Sequence, residues 1–146
     1  MQRFVLSLLS LFLLQSCDSK PPIMNTTLPL KQVMEWVIDP AADVIWDSVK
    51  SIITEKGTEE IYPKTDEQWE VIRNASASLI ESGNLLKLRN KKASDQQWIA
   101  YADRLSKNAE LALKAANDRN KEALFDVGGS IYNSCKACHQ KYAILD

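Results

Sequence analysis

The sequence has few of the residues that loop-rich and β-rich proteins use. Its 146 residues include only four glycines and five prolines, which is too few for a turn-rich β protein. It has one histidine, so no site within a single copy of the chain can use two. Neither sign of charge prevails, because the formal net charge is −1, and this argues against nucleic acid or an acidic membrane surface as the main partner. The length suits one domain with a full core.

Two of the three cysteines lie close together near the C-terminus. They form the sequence Cys135-Lys136-Ala137-Cys138-His139, in which the single histidine follows the second thiol directly. This C-x-x-C-H spacing is the attachment pattern of haem c. On a helix, positions i, i+3 and i+4 share one face, so both thiols can bond to the haem vinyl groups while His139 binds the iron. The sequence therefore predicts one covalent haem c with His139 as an axial ligand.

A C-x-x-C pair has two other uses. A thioredoxin-like redox pair favours the junction of a strand and a helix in a βαβ unit, and no such unit is predicted here. A tetrahedral zinc site needs four ligands, and the only remaining cysteine, Cys17, is expected outside the fold. A haem-free helical protein with a redox-active Cys135–Cys138 pair remains an alternative.

The N-terminal residues are expected to lie outside the folded domain. Residues 1–16 carry a positive charge at Arg3 and an apolar run from Phe4 to Leu14 that is too short to span a bilayer permanently, as in an export signal. The run ends at Cys17 in a pattern that resembles the bacterial lipoprotein signal. The alternative is ordinary cleavage nearby, which would leave a free thiol in an oxidising compartment. We expect a periplasmic protein held at the membrane only through lipid on Cys17, with residues 17–27 as a tether.

Hydrophobic residues then repeat with helical spacing in four stretches. The first helix is predicted to run from Leu28 to Lys56 and to end at Gly57. Within it, Pro40 must either kink the helix or start a second segment with Asp39 as its cap. The residues expected to face the core are Leu30, Met34, Val37, Ala41, Val44, Ser48 and Ile52.

Three more helices are predicted after a loop over residues 58–64. They open at Thr65, at Ser94 and near Asp118 or Asn120, the first two with capping boxes. The predicted core faces are Trp69, Ile72, Ser76, Leu79, Gly83 and Leu86 in the second helix; Trp98, Tyr101 or Ala102, Leu105, Ala109, Ala112 and Ala116 in the third; and Leu124, Val127, Ile131, Cys135, Cys138 and Tyr142 in the fourth.

Short connections and the absence of a predicted strand favour one all-α domain over residues 28–146. We expect an antiparallel up-down-up-down four-helix bundle. Inside the fourth helix, the pair Gly128–Gly129 costs roughly 1 kcal/mol per glycine relative to alanine. The pair either makes room for the Trp46 indole or marks a weak, kinked turn.

The haem is expected at the end of the bundle where the fourth helix ends. Antiparallel packing would bring the start of the first helix, the end of the second and the start of the third to that end. The predicted haem pocket, apart from the motif itself, consists of Leu30, Met34, Val37, Leu79, Leu85, Leu86, Trp98, Tyr101, Leu105 and Ile131.

A four-helix bundle with C-x-x-C-H at its C-terminus, followed by Tyr142 three residues after the histidine, resembles cytochrome c′ and related class II c-type cytochromes. The resemblance covers residues from about 28 to 142, and Pro40 departs from it. It implies that His139 is the fifth iron ligand. It also implies that the sixth position is filled by a methionine of the first helix or blocked by an apolar side chain there. A homodimer through the first two helices would be in keeping with the resemblance.

Elimination points to Met34 as the candidate sixth ligand. Met1 leaves with the signal and Met24 lies in the tether, so Met34 alone is a methionine on a predicted helix. If Met34 binds iron, the thioether raises the potential, which suits a one-electron carrier that serves a redox partner protein. If Met34 only packs, the iron is five-coordinate and open to nitric oxide or carbon monoxide. We find no catalytic residue set and predict a carrier rather than an enzyme.

Overall fold

The computed structural model describes residues 25–89 and 95–142. The predicted export signal, Cys17, most of the predicted tether and Ser94 lie outside these residues. Within the described part, no helix is both long enough and apolar enough to cross a membrane. The elements, in chain order, are α1 (Leu30–Val33), a π-helical turn (Met34–Ile38), α2 (Asp39–Ser48), β1 (Lys50–Thr54), β2 (Gly57–Ile61), α3 (Asp66–Leu88), α4 (Gln96–Asn117) and α5 (Lys121–Tyr142).

The domain is mostly helical, as predicted, and its helices share one core. α3 packs along α4, α4 packs along α5, and α2 contacts both α3 and α5. α4 contributes mainly alanines to the core, which lets its neighbours approach closely. Large side chains from the other helices fill the centre, among them Ile45, Ile72, Leu79, Leu124 and Ile131.

The second predicted helix is confirmed as α3. Thr65 accepts a hydrogen bond from the Gln68 backbone N–H at 3.3 Å, and the Gln68 side chain accepts one from the Thr65 N–H at 3.1 Å, which completes the capping box. All six residues of the predicted core face are buried. Helical period and capping chemistry agree along this segment, so local and tertiary preferences favour the same structure.

The start of α4 differs in detail from the prediction, and the start of α5 agrees with it. Asp95, rather than Ser94, occupies the N-cap of α4 and accepts hydrogen bonds from the N–H groups of Gln97 and Trp98. An aspartate is as good a cap as serine, and its negative charge also suits the helix N-terminus. α5 begins at Lys121, and Asn120 caps it by accepting a bond from the Ala123 N–H at 2.9 Å.

The first helix contains a π turn that ends two residues before Pro40. Proline has no N–H, and its ring clashes with the carbonyl four residues earlier, which is that of Trp36. The wider turn accommodates this, and the Asp39 N–H bonds to the Met34 carbonyl five residues back. A new α-helical segment starts at Asp39, but the Asp39 side chain does not cap it.

The π turn also corrects the predicted core stripe of this helix. Because the turn contains one extra residue, the buried face steps from Val33 to Ile38 instead of following three- and four-residue spacings. Of the predicted stripe only Ala41 is fully buried, while Leu30, Met34 and Val44 are half-buried against the core. The fully buried residues of the helix are Val33, Ile38, Ala41, Ala42 and Ile45.

The prediction that the first helix reaches Lys56, with a loop after it, is wrong. The helix ends at Ser48, and residues 50–61 form an antiparallel hairpin in which Lys50 pairs with Ile61 and Thr54 with Gly57. The segment from Val49 to Thr54 is rich in β-branched residues, which favour strands. Gly57 adopts a positive φ of 127° at the turn, so it serves the hairpin rather than a helix end.

Of the two glycines predicted beside the Trp46 indole, Gly128 contacts it and Gly129 does not. A Cβ at Gly128 would lie 3.4 Å from Cδ1 of Trp46, and the indole Nε1–H donates to the Gly128 carbonyl at 2.9 Å. Gly129 has no such neighbour, since a Cβ there would meet nothing within 4 Å. The contact joins α2 to α5 at mid-length.

Candidate cofactor site

The motif residues lie on the last turns of α5, beside the first helix. Cys135, Cys138 and His139 line one small space between the helices, here called the inner cleft. They share one side of α5 because of their i, i+3 and i+4 spacing. The inner cleft is lined by Met34, Ile38, Asp39, Leu86, Tyr101, Leu105, Ser134, Cys135, Cys138 and His139.

Four of the residues predicted around the cofactor meet the motif in this cleft. Met34 comes from the π turn, Leu86 from the end of α3, and Tyr101 and Leu105 from the first half of α4. The start of the first helix also meets the end of α3, as expected, because the Arg89 guanidinium donates to the Leu28 carbonyl.

The other predicted pocket residues lie elsewhere. Leu79 and Ile131 are completely buried in the core, away from the cleft lining. Leu30, Leu85 and Trp98 are half-buried and pack against the core, and Val37 is half-buried. None of these residues is part of the cleft lining.

An aromatic cluster holds the end of α5 against α4. The Tyr142 ring packs edge-to-face on Trp98, with centroids 5.1 Å apart, and on Tyr101, with centroids 6.2 Å apart. The Tyr142 hydroxyl donates to the Asp95 carboxylate at 2.8 Å. Burial and this bond to Asp95 raise the pKa of Tyr142 to about 12, and the same bond lowers the pKa of Asp95. The cluster therefore fixes the helix end that carries the motif.

Both thiols of the motif favour their neutral form. Burial, and then the charge of Asp39, raise the pKa of Cys135; burial, and then the proximity of Cys135, raise that of Cys138. Neither thiol is in a disulfide. Both lie in the C-terminal half of α5, far from the helix N-terminus that would stabilise a thiolate. Reactive redox cysteines instead need a lowered pKa, usually at a helix N-terminus or beside a cation.

Asp39 belongs to the site, although the sequence pointed to it only as a possible helix cap. It lines the inner cleft together with His139 and Cys135. Burial raises its pKa, the nearby His139 lowers it, and the carboxylates of Asp43 and Glu35 raise it. The signal that could have found it is the proline directly after it, which forces a local change in helix geometry.

A second concavity lies on the other side of the motif and is here called the outer groove. It has a volume of about 480 Å³, while the inner cleft has about 30 Å³. Asp39, Cys135 and His139 line both, but Cys138 and Met34 line only the inner cleft. The outer groove is lined by Asp39, Trp46, Tyr132, Cys135, Lys136, His139 and Gln140.

The chemistry of the inner cleft suits a haem c, and its present volume is small. Two neutral thiols on one helix face, a neighbouring imidazole and a mainly apolar lining are the groups that a covalent haem requires. A volume of about 30 Å³ holds a water and is far less than a porphyrin occupies. Binding a haem would therefore require the helices that line the cleft to move apart.

Among the described residues, no group of three or more histidine, cysteine, aspartate or glutamate side chains could hold a metal ion by itself.

No family model matches the chain, and neither does any curated protein or solved structure.

Proposed function

We propose that the chain is an exported class II-type c cytochrome, an antiparallel four-helix bundle that carries single electrons through one covalent haem c. Cys135 and Cys138 would hold the haem through thioether bonds, and His139 would bind its iron. When bound, the haem supplies the one-electron Fe(III)/Fe(II) couple. The protein fixes the ring, excludes water from it and sets its potential.

One observation carries this proposal: the C-x-x-C-H residues and Met34, the candidate ligand chosen by elimination, line the same cleft. Met34 lies on the first helix and the motif lies on α5. Cys135 follows Met34 by 101 positions in the sequence. A thioether and an imidazole on two helices with a mainly apolar space between them suit the two axial positions of a haem iron. A methionine ligand raises the potential, as an electron carrier needs.

A gas-binding haem protein is the second candidate, and Ile38 is the observation in its favour. Ile38 is 2% exposed and lines the cleft beside Met34. An apolar side chain at the sixth position would leave the iron five-coordinate, able to bind nitric oxide or carbon monoxide. The two candidates therefore differ in which residue of the π turn meets the iron.

The haem-free redox pair has less support. Its thiols would have to ionise readily, whereas burial raises the pKa of both Cys135 and Cys138. They also lie far from the helix N-terminus, where reactive cysteines are usually found.

The visible spectrum of the reduced full chain, expressed with a haem c maturation system, tests the proposal. A low-spin spectrum that becomes high-spin in Met34→Ala supports the carrier with Met34 as ligand. A wild type that is already high-spin and binds carbon monoxide supports the gas binder. Absence of a Soret band in protein that has folded refutes both haem proposals. Met34→Leu is the matched control, because it conserves volume but removes the sulfur.

The location is a separate part of the proposal and rests on the sequence around Cys17. The mature protein would be anchored in the periplasm by lipid on Cys17, and stable anchoring takes more than one acyl chain. Cys17→Ser should release the protein from the membrane fraction. Wild-type protein recovered without lipid from the soluble periplasm would contradict the anchor while leaving the haem proposal unaffected.

A further inference from the structure

The π turn turns Asp39 toward the cofactor site. Along an uninterrupted α-helix, Asp39 would lie about 140° around the axis from Met34. The π-helical hydrogen bond from the Asp39 N–H to the Met34 carbonyl instead brings these two residues to the same side of the helix. Both line the inner cleft. The turn thus presents one sulfur and one carboxylate to the same space.

Asp39 also lies where the two concavities meet. It lines both the inner cleft and the outer groove, and the other residues that do so are Cys135 and His139. Asp39 is thus next to the residue that would hold the iron and next to one of the two that would hold the ring.

A carboxylate at this position has a defined effect on a haem. Oxidised haem carries one more positive charge than reduced haem, so a nearby negative charge stabilises Fe(III) relative to Fe(II) and lowers the reduction potential. The size of the effect depends on how far solvent is excluded from the charge, and Asp39 is exposed.

We propose that Asp39 is a potential-setting residue of the haem site, which lowers the potential that Met34 ligation would otherwise raise. This inference rests on the proposed haem function. It adds that the haem reduction potential depends on the balance between Met34, in the π turn, and Asp39, the residue directly after it.

Other charges near the site do not duplicate this role. Glu35 and Asp43 lie on the same helix but line neither the inner cleft nor the outer groove. Arg104, near Cys138, acts in the opposite sense by favouring negative charge. Lys136 lines the outer groove but not the inner cleft. Asp43, four residues after Asp39 and exposed, is therefore the matched control for a loss of charge on this helix.

The test is the midpoint potential of the full, haem-loaded chain, measured by spectroelectrochemical titration. Asp39→Asn should shift the potential upward by clearly more than Asp43→Asn, and Asp39→Glu should remain near the wild type. The spin state should be unchanged in all three, because no ligand is removed. If Asp39→Asn does not mature, Asp39→Ser makes the same change of charge.

An Asp39→Asn shift equal to or smaller than that of Asp43→Asn, or a shift downward, overturns the inference. Haem content is measured first on the wild type by the pyridine haemochrome assay. A wild type without covalent haem refutes the proposed function, and this inference with it. Covalent haem together with equal potentials refutes only the role of Asp39.

Discussion

Replacing Gly83 by alanine tests how closely α3 and α4 approach beneath the site. A Cβ at Gly83 would collide with the Ser106 side chain and would lie 2.7 Å from the Ala102 carbonyl oxygen. The Ser106 hydroxyl donates to the Ile80 carbonyl at 2.8 Å, so it cannot turn away without losing that bond. The Ala102 carbonyl belongs to the backbone, so relief there requires the two helices to separate.

The expected loss of stability follows from three opposing contributions. Alanine is favoured over glycine within a helix by about 1 kcal/mol. Overpacking costs about 1–3 kcal/mol, and the lost Ser106 bond costs about 1 kcal/mol. Gly83→Ala should therefore lower the free energy of unfolding by about 1–3 kcal/mol. Urea unfolding followed by circular dichroism at 222 nm measures it.

Gly129→Ala is the matched control, because a Cβ at Gly129 would meet nothing within 4 Å. It should stabilise the protein by about 1 kcal/mol through helix propensity alone. Gly128→Ala should fall between the two, since its Cβ would lie 3.4 Å from the Trp46 ring. A Gly83→Ala variant as stable as the wild type would contradict the close approach of α3 and α4.

Three further changes test the elements around the site. Thr65→Ala removes the capping box of α3 and should lower stability by about 1 kcal/mol in urea unfolding. Trp46→Phe removes the bond to the Gly128 carbonyl and should cost about 1 kcal/mol, whereas an unchanged midpoint would contradict that bond. The pKa of Tyr142 is raised from 10.0 to about 12, so its contribution to stability is full below pH 10 and is lost as the pH rises from 10 to 12. Tyr142→Phe should lack this part of the alkaline loss of stability, as measured by unfolding at pH 9 to 12.

The parts of the fold that could be predicted are those where one period explains a whole segment. In α3 the capping box at Thr65 and the stripe from Trp69 to Leu86 agree, and all are as predicted. The hairpin was missed because Ile52 also fits a helical stripe, while the β-branched run around it favours a strand. Periodicity alone cannot choose between these structures for a short segment.

The candidate site could likewise be predicted from the sequence only in part. The shared face of Cys135, Cys138 and His139 follows from spacing alone, and the position of Met34 at that end follows from helix order. The π turn cannot be read from a pattern that assumes a constant period, so Asp39 and Ile38 were missed as cleft residues. Leu79 and Ile131 were expected in the pocket, but they lie deeper because their side chains fill the core.

The most direct measurement of the central claim is the intact mass of the full chain under denaturing conditions, after expression with a haem c maturation system. The proposal predicts a mass increased by that of one haem, unaffected by acid–acetone extraction. The increase should be absent when Cys135 and Cys138 are both replaced by alanine. A folded wild-type protein with the mass of the polypeptide and any lipid alone would contradict covalent haem attachment.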